Sequence, residues 1–526
     1  MPDLPRRFRT GLLALLLCLP ALVNGFPLLF DDSAHYLRKP FALVQELARG
    51  RLSIDAGQYR GYMPSHFGGG EAAAPAPGAS APGAAASVPQ AAAVVPLSGN
   101  PFFLRPAPYS LALVPFAHAV TILLLPFAQA LLVVLLAEAL LRALAGPAPP
   151  AWAWGAMAVG LLASAAPWFA SQIMPDVLTG CLALWLGLLV AGGDWLRRPW
   201  RAVGFALLGA FLVGSHLTHL PLAAGGALVG LGLRWAIERK QDPLRWRRAG
   251  LALAALVLAA GGLVGTNLAF GRKATLSESS PLFMLARMVG DGTAALVLEK
   301  DCPAGAGWLL CGQPEFWRGN SDDFLWQPRA PWLRHWAERD RFLAEAREIS
   351  GRVLREYPGE QAARSLANFA RQLVTLSIDP QLTEPPPYSF GELAGQMGAP
   401  AAGLAAASMA NTGDARLSAY RRLQDQAQKA LFWVALLALA GIIVLAWRAR
   451  RGPLLAVAGL ALALVLGNAF LAGALSAVHG RYQSRITWPV TLLAVAAGAA
   501  ALRPRATVDR PAAARYEAGQ AGLAQR

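Results

Sequence analysis

Residues 6–32 read RRFRTGLLALLLCLPALVNGFPLLFDD, a basic start followed by a nearly unbroken apolar run and then two adjacent carboxylates. Basic residues ahead of a membrane span hold that end in the cytoplasm, so Asp31 and Asp32 are expected to emerge on the opposite face. Neither membrane insertion nor folding requires an acidic pair at this place. The pair therefore suggests chemistry at the outer surface of a membrane.

Composition identifies the broad class of the protein. Hydrophobic residues make up 55% of the 526 positions and charged residues only 15%, which is too apolar for an ordinary soluble protein. The formal net charge of +16 would suit a nucleic-acid partner, but the distribution of the charge argues against one. Basic residues cluster in short connectors between apolar runs, as expected for cytoplasmic anchors facing anionic lipid. They are Arg197, Arg198 and Arg201; Arg245, Arg247 and Arg248; Arg448, Arg450 and Arg451; Arg503 and Arg505.

The apolar runs predict an all-α, polytopic transmembrane helix bundle of about ten spans, each needing roughly 20 residues. The predicted spans are 11–30, 118–143, 151–170, 177–193, 202–217, 219–235, 249–270, 429–447, 453–474 and 486–502. In this arrangement both termini are cytoplasmic and every dense basic connector lies inside. A cleaved signal peptide is the alternative for the first segment, and cleavage there would still leave the carboxylates outside.

The chain divides by composition into four parts. They are an N-terminal transmembrane module (1–270), a mostly helical periplasmic region (271–427), C-terminal transmembrane helices (428–503) and a cytoplasmic tail (504–526). The first outer loop contains a low-complexity linker, 71–96, built almost entirely from Ala, Pro, Gly, Ser and Val. In the periplasmic region, helical periodicity is clearest over 332–357 and 415–430.

Two of the four cysteines fall in the predicted periplasmic region. An oxidising compartment would allow Cys302 and Cys311 to close a small disulfide loop, and two free thiols are the alternative. Cys18 and Cys181 lie in predicted spans.

Three acidic residues are candidates for catalysis. Either Asp31 or Asp32 could deprotonate an acceptor hydroxyl, with its neighbour raising its basicity by charge repulsion. A solvated polar cap on the end of the span is the alternative. Asp176, at the outer mouth of a span, is a second acidic site residue or simply a helix N-cap.

Cationic and aromatic groups on the same predicted side are candidates for substrate binding. Arg105 and Tyr109 precede the second span from outside, and Arg481 and Arg485 lie in the last outer turn. Their guanidinium groups suit a phosphate or diphosphate, or more simply lipid head groups. His216 and His219, three residues apart, have a spacing that permits metal binding, but no third ligand is evident. Structural polar contacts between two short helices are the stronger interpretation of this pair.

The layout resembles the GT-C glycosyltransferases, polytopic enzymes that move a sugar from a polyprenyl-phosphate carrier to an acceptor outside the cytoplasmic membrane. The resemblance rests on Phe26–Leu37 (FPLLFDDSAHYL), on Pro175-Asp176 and on Arg481–Arg485 (RYQSR). It implies that Asp31 or Asp32 is the general base and that Arg105 and Arg485 bind the carrier phosphate. A divalent metal is compatible with it but not required. The 71–96 insertion departs from the compact first loop of that superfamily.

The resemblance also implies partners and a location. It points to the inner membrane of a bacterium, a lipid-linked sugar donor, surrounding membrane lipid, and a glycan, lipid or protein acceptor in the cell envelope, with no nucleic acid. A transporter or flippase would instead place ionisable residues near mid-membrane, where the apolar runs hold few. A non-catalytic scaffold for envelope assembly would leave Asp31, Arg105, Asp176 and Arg485 dispersed. Convergence of these residues on one cavity would favour an enzyme.

Overall fold

The computed structural model describes residues 5–30, 32–48, 60–61, 95–96, 100, 102–118, 120–238, 242–327, 329–385, 397 and 399–503. Within these ranges the chain is almost entirely helical, as its abundance of Ala and Leu favours. A two-residue antiparallel pair joins Arg60–Gly61 to Val95–Pro96, and a single bridge joins Leu28 to Gln172. Asp31, most of the 71–96 linker and the 504–526 tail lie outside the described residues.

Helices follow one another with short connections. In the first half of the chain they are α1 (Arg6–Leu17), α2 (Leu19–Asn24), α3 (Ser33–Ala48), α4 (Ala107–Ala112), α5 (Leu125–Ala145), α6 (Ala151–Leu162), α7 (Ala166–Ser171), α8 (Asp176–Ala191), α9 (Pro199–Gly214), α10 (His219–Glu238) and α11 (Arg245–Gly271). Short 3-10 helices cover Val114–Phe116, Thr121–Leu124 and Asp194–Arg197.

The second half begins with short helices and ends with three long ones. They are α12 (Ser280–Gly290), α13 (Thr293–Asp301), α14 (Pro314–Trp317), α15 (Ser321–Trp326), α16 (Pro331–Arg334), α17 (Arg339–Glu356), α18 (Pro358–Val374), α19 (Ala399–Ala406), α20 (Ala415–Arg448), α21 (Gly452–Leu475) and α22 (Gly480–Ala501). Further 3-10 helices cover Leu309–Gly312, Trp336–Glu338 and Pro380–Thr383.

Among the described residues, six helices are long and apolar enough to cross a membrane, and this makes the chain a membrane protein by length and composition. They are Thr121–Ala145, His219–Glu238, Arg245–Gly271, Ala415–Arg448, Gly452–Leu475 and Gly480–Ala501. The pair α12 and α13 would make a seventh span, but its two helices meet at 94°. The predicted count of about ten spans is therefore not confirmed.

The difference arises where apolar runs are interrupted by helix breaks. The first predicted span divides at Cys18 into α1 and α2, and α2 ends at Gly25 with a left-handed φ of 80°. The third divides between Leu162 and Ala166 into α6 and α7. The helices α8 and α9 have 16 residues each, or about 24 Å, against a hydrocarbon core of about 30 Å. Hydropathy alone detects the apolar run but not the break within it.

Helix α8 lies at the centre of the bundle, and every residue from Asp176 to Val190 is buried. Close contact with its neighbours depends on glycine. A Cβ placed on Gly180 would lie 1.9 Å from the Trp488 ring, and one on Gly209 would lie 2.4 Å from the Trp185 ring. Small residues that let large rings approach a backbone are a common device of membrane helix packing.

Residues 280–356, hereafter the cap region, form a second apolar core together with Phe103 and Leu104. Its buried side chains include Leu285, Phe324, Trp332 and Phe342. Cys302 and Cys311, whose Cα atoms are 5.4 Å apart, are joined by a disulfide within it. The cap region is thus a compact helical unit beside the bundle.

The two ends of the bundle differ in their charges. At one end, hereafter the basic end, buried Glu138 faces Arg6, Arg9 and Arg142 at 3.4, 3.8 and 3.6 Å. Arg451 donates to the Ala500 carbonyl at 2.8 Å, near the C-terminus of α22. Arginines of the predicted basic connectors therefore satisfy helix C-terminal carbonyls, as cations at that position commonly do.

Candidate functional site

A cavity of about 350 Å³ opens at the opposite end of the bundle, hereafter the cavity end. Asp32 lies just before α3, Arg105 just before α4, and Asp176 begins α8. Arg481 and Arg485 lie in the first turns of α22. All five side chains line this one cavity. Because antiparallel helices bring alternate chain ends to the same surface, residues distant in sequence meet there.

Asp32 faces two guanidinium groups. Its Oδ1 accepts a hydrogen bond from Arg105 Nη2 at 2.6 Å, and its Oδ2 lies 3.9 Å from Arg481 Nη2. Aromatic rings hold both arginines in place. The Arg481 guanidinium carbon lies 3.9 Å from the centre of the Phe30 ring, and that of Arg105 lies 5.4 Å from the Trp326 ring.

Burial would raise the pKa of Asp32, but Arg105 and Arg481 outweigh it and hold the pKa below its ordinary value. The sequence-based expectation of a carboxylate made more basic by repulsion is therefore not met at Asp32, because two cations face it. The neighbouring Asp31 lies outside the described residues. In this state Asp32 is ionised at neutral pH and is a weak base.

Asp176 and Arg485 form a second charged pair in the same cavity. Asp176 Oδ1 lies 3.7 Å from Arg485 Nη1, too far for a hydrogen bond. Asn468 Oδ1 accepts from Arg485 Nε at 3.2 Å, and Thr218 Oγ1 lies 3.5 Å from Nη2. Arg485 Nη1 is buried and has no hydrogen-bond partner among the described residues. The N-cap position of α8 belongs to Pro175, so Asp176 is a first-turn residue and not the cap.

The two candidate histidines have different environments. His216 lines the cavity, and Thr218 Oγ1 lies 2.8 Å from its Nδ1. Burial, followed by the charge of Arg485, holds the pKa of His216 well below its ordinary value, so the ring is neutral at pH 7. His219 Nδ1 lies 2.7 Å from the Leu212 carbonyl and Nε2 lies 2.8 Å from Thr179 Oγ1. His219 is buried in these polar contacts, away from the cavity lining.

The remaining predicted binding residue, Tyr109, lies one layer behind the cavity wall. Its hydroxyl donates to Gln129 Oε1 at 3.0 Å, and its ring packs edge-on against Tyr36 at 5.2 Å. Tyr36 itself lines the cavity. Tyr109 therefore supports the wall and is not among the lining residues, because the turn of α4 directs its side chain into the bundle.

The cap region supplies part of the wall that sequence analysis did not identify. Phe283, Asp322 and Trp326 line the cavity beside Arg105. His479 Nε2 lies 3.9 Å from Asp322 Oδ2. Burial and then Arg481 lower the pKa of His479, which outweighs the raising effect of Asp322. No local motif marks these residues, since only the packing of the cap region on the bundle brings them to the site.

The described residues of the cavity do not form a metal-binding set. Among the described residues, no group of three His, Cys, Asp or Glu side chains is placed to share a metal. Asp32 and Asp176 each face guanidinium groups, which compete with a cation for the same carboxylate oxygens.

No family model, curated protein or solved structure matches this chain.

Proposed function

We propose that this protein is an integral membrane glycosyltransferase of the GT-C type, which moves a sugar from a polyprenyl-phosphate carrier to an acceptor at the outer face of the membrane. The observation that carries the proposal is the convergence of Asp32, Asp176, Arg105, Arg481 and Arg485 on one cavity. A carboxylate beside several guanidinium groups is the set that a hydroxyl acceptor and a phosphate leaving group require.

The charge balance of the cavity suits an anion. Among the described lining residues are four arginines and three aspartates, a formal excess of one positive charge. Arg485, held by Asn468, has a buried N–H that finds no hydrogen-bond partner in the described part of the chain. A carrier phosphate binding there would complete the hydrogen bonding of this guanidinium.

The apolar part of the wall suits the isoprenoid tail of such a carrier. Leu471, Ala472 and Leu475, at the end of the candidate span α21, line the cavity together with Pro221 at the start of α10. Leu475 is also exposed on the outside of the bundle. The isoprenoid chain could therefore pass from the cavity along α21 into lipid while the carrier phosphate stays with the arginines.

The proposed reaction is a direct displacement with Asp32 as the base. Asp32 takes the proton of the acceptor hydroxyl as its oxygen bonds to the anomeric carbon, and the bond from that carbon to the phosphate oxygen breaks. The polyprenyl phosphate leaves as an anion held by arginine, so no acid is needed for the leaving group. A bound phosphate would offset part of the positive charge of Arg105 and Arg481, and the pKa of Asp32 would rise. The base would thus be activated only when the donor is bound.

The alternatives find less support. A flippase requires ionisable groups along the membrane path, and buried Glu138 is instead paired with arginines at the basic end. A scaffold without catalysis predicts dispersed charges, whereas these converge. In the proposed topology the basic end faces the cytoplasm of a bacterium and both termini lie there, so that the cavity faces the periplasm.

The test compares Asp32→Asn with Asp242→Asn in cells that lack the native protein. Asp242 is a buried aspartate at the basic end, paired with Arg248, and serves as the matched control. We expect Asp32→Asn to reduce glycan transfer about 10²–10⁴-fold while lipid-linked sugar accumulates, as loss of a general base does. Protein in the membrane fraction is quantified for each variant. Unchanged transfer by well-folded Asp32→Asn protein would refute the assignment.

A further inference from the structure

Helix α18 (Pro358–Val374) is amphipathic in the reverse sense from a helix of a soluble protein. Its buried residues are polar: Gln361, Asn368 and Gln372. At 100° per residue these three lie on one face. The face turned toward the rest of the protein is thus the polar one.

Hydrogen bonds fix this orientation. Gln361 Nε2 and Asn368 Nδ2 donate to the two oxygens of Asp291, at 2.9 and 2.7 Å. Gln372 Nε2 donates to the His479 carbonyl at 2.9 Å and its Oε1 accepts from the His479 amide at 3.0 Å. Because each buried amide group has partners, rotation of α18 about its axis would leave several buried polar groups unpaired.

The opposite face of α18 is apolar and open. It carries Ala363, Leu366, Ala367, Ala370 and Val374, all exposed. Leu366 is 60% exposed and Val374 is 66% exposed. A helix with its polar side chains packed on the protein and its apolar side chains facing outward is typical of contact with lipid and not with water.

This face continues the exposed surface of a candidate span. Asn368 packs so closely on α21 that a Cβ on Gly473 would lie 2.6 Å from its carbonyl oxygen. The Phe369 ring lies 6.0 Å from that of Phe470, and outward-facing Leu466 on the same span is 50% exposed. We propose that the apolar face of α18 lies in the membrane leaflet at the cavity end and contacts lipid.

The preceding helix provides a contrast within the same chain. Leu354 on α17 is 50% exposed, close to the value for Leu366. Its exposed neighbours on α17 include Arg347, Glu348 and Arg355, whereas the residues one turn from Leu366 on α18 are mainly alanines. The exposed Arg364 and Arg371 of α18 lie to one side of the apolar face, where long cationic side chains can reach lipid head groups. Charged groups at the density found on α17 are costly to place in hydrocarbon. We therefore place Leu354 in water and Leu366 in lipid.

The experiment measures lipid contact directly in the full-length protein. The variants Leu354→Cys, Leu366→Cys, Val374→Cys and Leu466→Cys are each labelled with an environment-sensitive fluorophore, and the protein is placed in vesicles that contain brominated phosphatidylcholine. The free native cysteines, Cys18 and Cys181, are buried, and Cys302 is disulfide-bonded. Protein without an added cysteine measures background labelling.

We expect the labels at 366 and 374 to be quenched like the label at 466, and about twofold or more above the label at 354. Quenching at 366 and 374 no greater than at 354 would overturn the proposal. In that event, a blue-shifted but unquenched label would indicate a protein partner or second copy on this face, and a red-shifted one would indicate water. Quenching does not depend on enzymatic activity. The result therefore tests lipid contact of α18 separately from the proposed function.

Discussion

Both ends of the bundle contain buried aspartate or glutamate paired with arginine, yet among the described residues the space beside these pairs is far larger at the cavity end. At the basic end, Asp242 and Arg248 border a space of about 50 Å³, and at the cavity end the corresponding pairs border about 350 Å³. The same residue types therefore serve as structural connections at one end and as a candidate site at the other. An ion pair indicates chemistry only where a substrate can reach it.

Removal of Glu138 tests whether the basic end is structural. Glu138 is fully buried and Thr10 donates to its Oε1 at 2.7 Å, while buried Arg9 lies 3.8 Å away. In Glu138→Gln the charge of buried Arg9 loses its carboxylate partner. We therefore expect the free energy of unfolding to fall by about 3–5 kcal/mol. Chemical denaturation in detergent measures it.

The control for this prediction is Glu299→Gln, since Glu299 is exposed and pairs with exposed Arg318 at 3.2 Å. A surface pair of this kind contributes about 0–1 kcal/mol. Equal losses in the two variants would contradict the structural role of Glu138.

Substitution of Arg485 tests the cavity end. Arg485→Gln removes the guanidinium proposed to hold the leaving phosphate, so we expect transfer per folded molecule to fall about 10²–10³-fold. Arg248→Gln at the basic end should leave transfer per folded molecule unchanged, although it removes a buried arginine as well. Assays of purified protein with a lipid-linked sugar separate the two. Similar activity losses in both variants would remove the distinction between the two ends.

Trp326 tests the contribution of the cap region to the site. Trp326→Ala removes an aromatic wall beside Arg105 and should weaken substrate binding about tenfold, as loss of an aromatic contact typically does. Trp336, also half-buried in the cap region but outside the cavity lining, is the control. The KM should rise for the variant of Trp326 alone. An equal rise for Trp336→Ala would point to general loosening of the cap region.

Sequence analysis identified five cavity residues because each lies at the end of an apolar run, and helix ends on the same side of the membrane share a surface. They are Asp32, Arg105, Asp176, Arg481 and Arg485. It could not identify Trp326 or Asp322, which reach the cavity only through packing of the cap region. His219 was named as a binding candidate from its spacing to His216, and the two ring centres do lie 5.3 Å apart. Its ring nitrogens, however, contact the Leu212 carbonyl and Thr179, as the structural interpretation of the pair expects, and only His216 lines the cavity. The predicted count of about ten spans is not confirmed, because hydropathy does not register the break at Cys18 or the short length of α8.

The pH dependence of stability tests the ion pairs of Asp32 at the cavity end. Its pKa is depressed in the folded protein, so its stabilising effect is fully present above the unfolded value of about 3.9 and is lost as the pH falls through the lower folded value. We therefore expect native protein to be more stable than Asp32→Asn at neutral pH, with the gap closing below about pH 4. Thermal unfolding in detergent from pH 7 to pH 3 measures it. With Arg105→Gln as background the gap should already be smaller at pH 7. A gap that widens on acidification would mean that burial, not Arg105 and Arg481, controls this carboxylate.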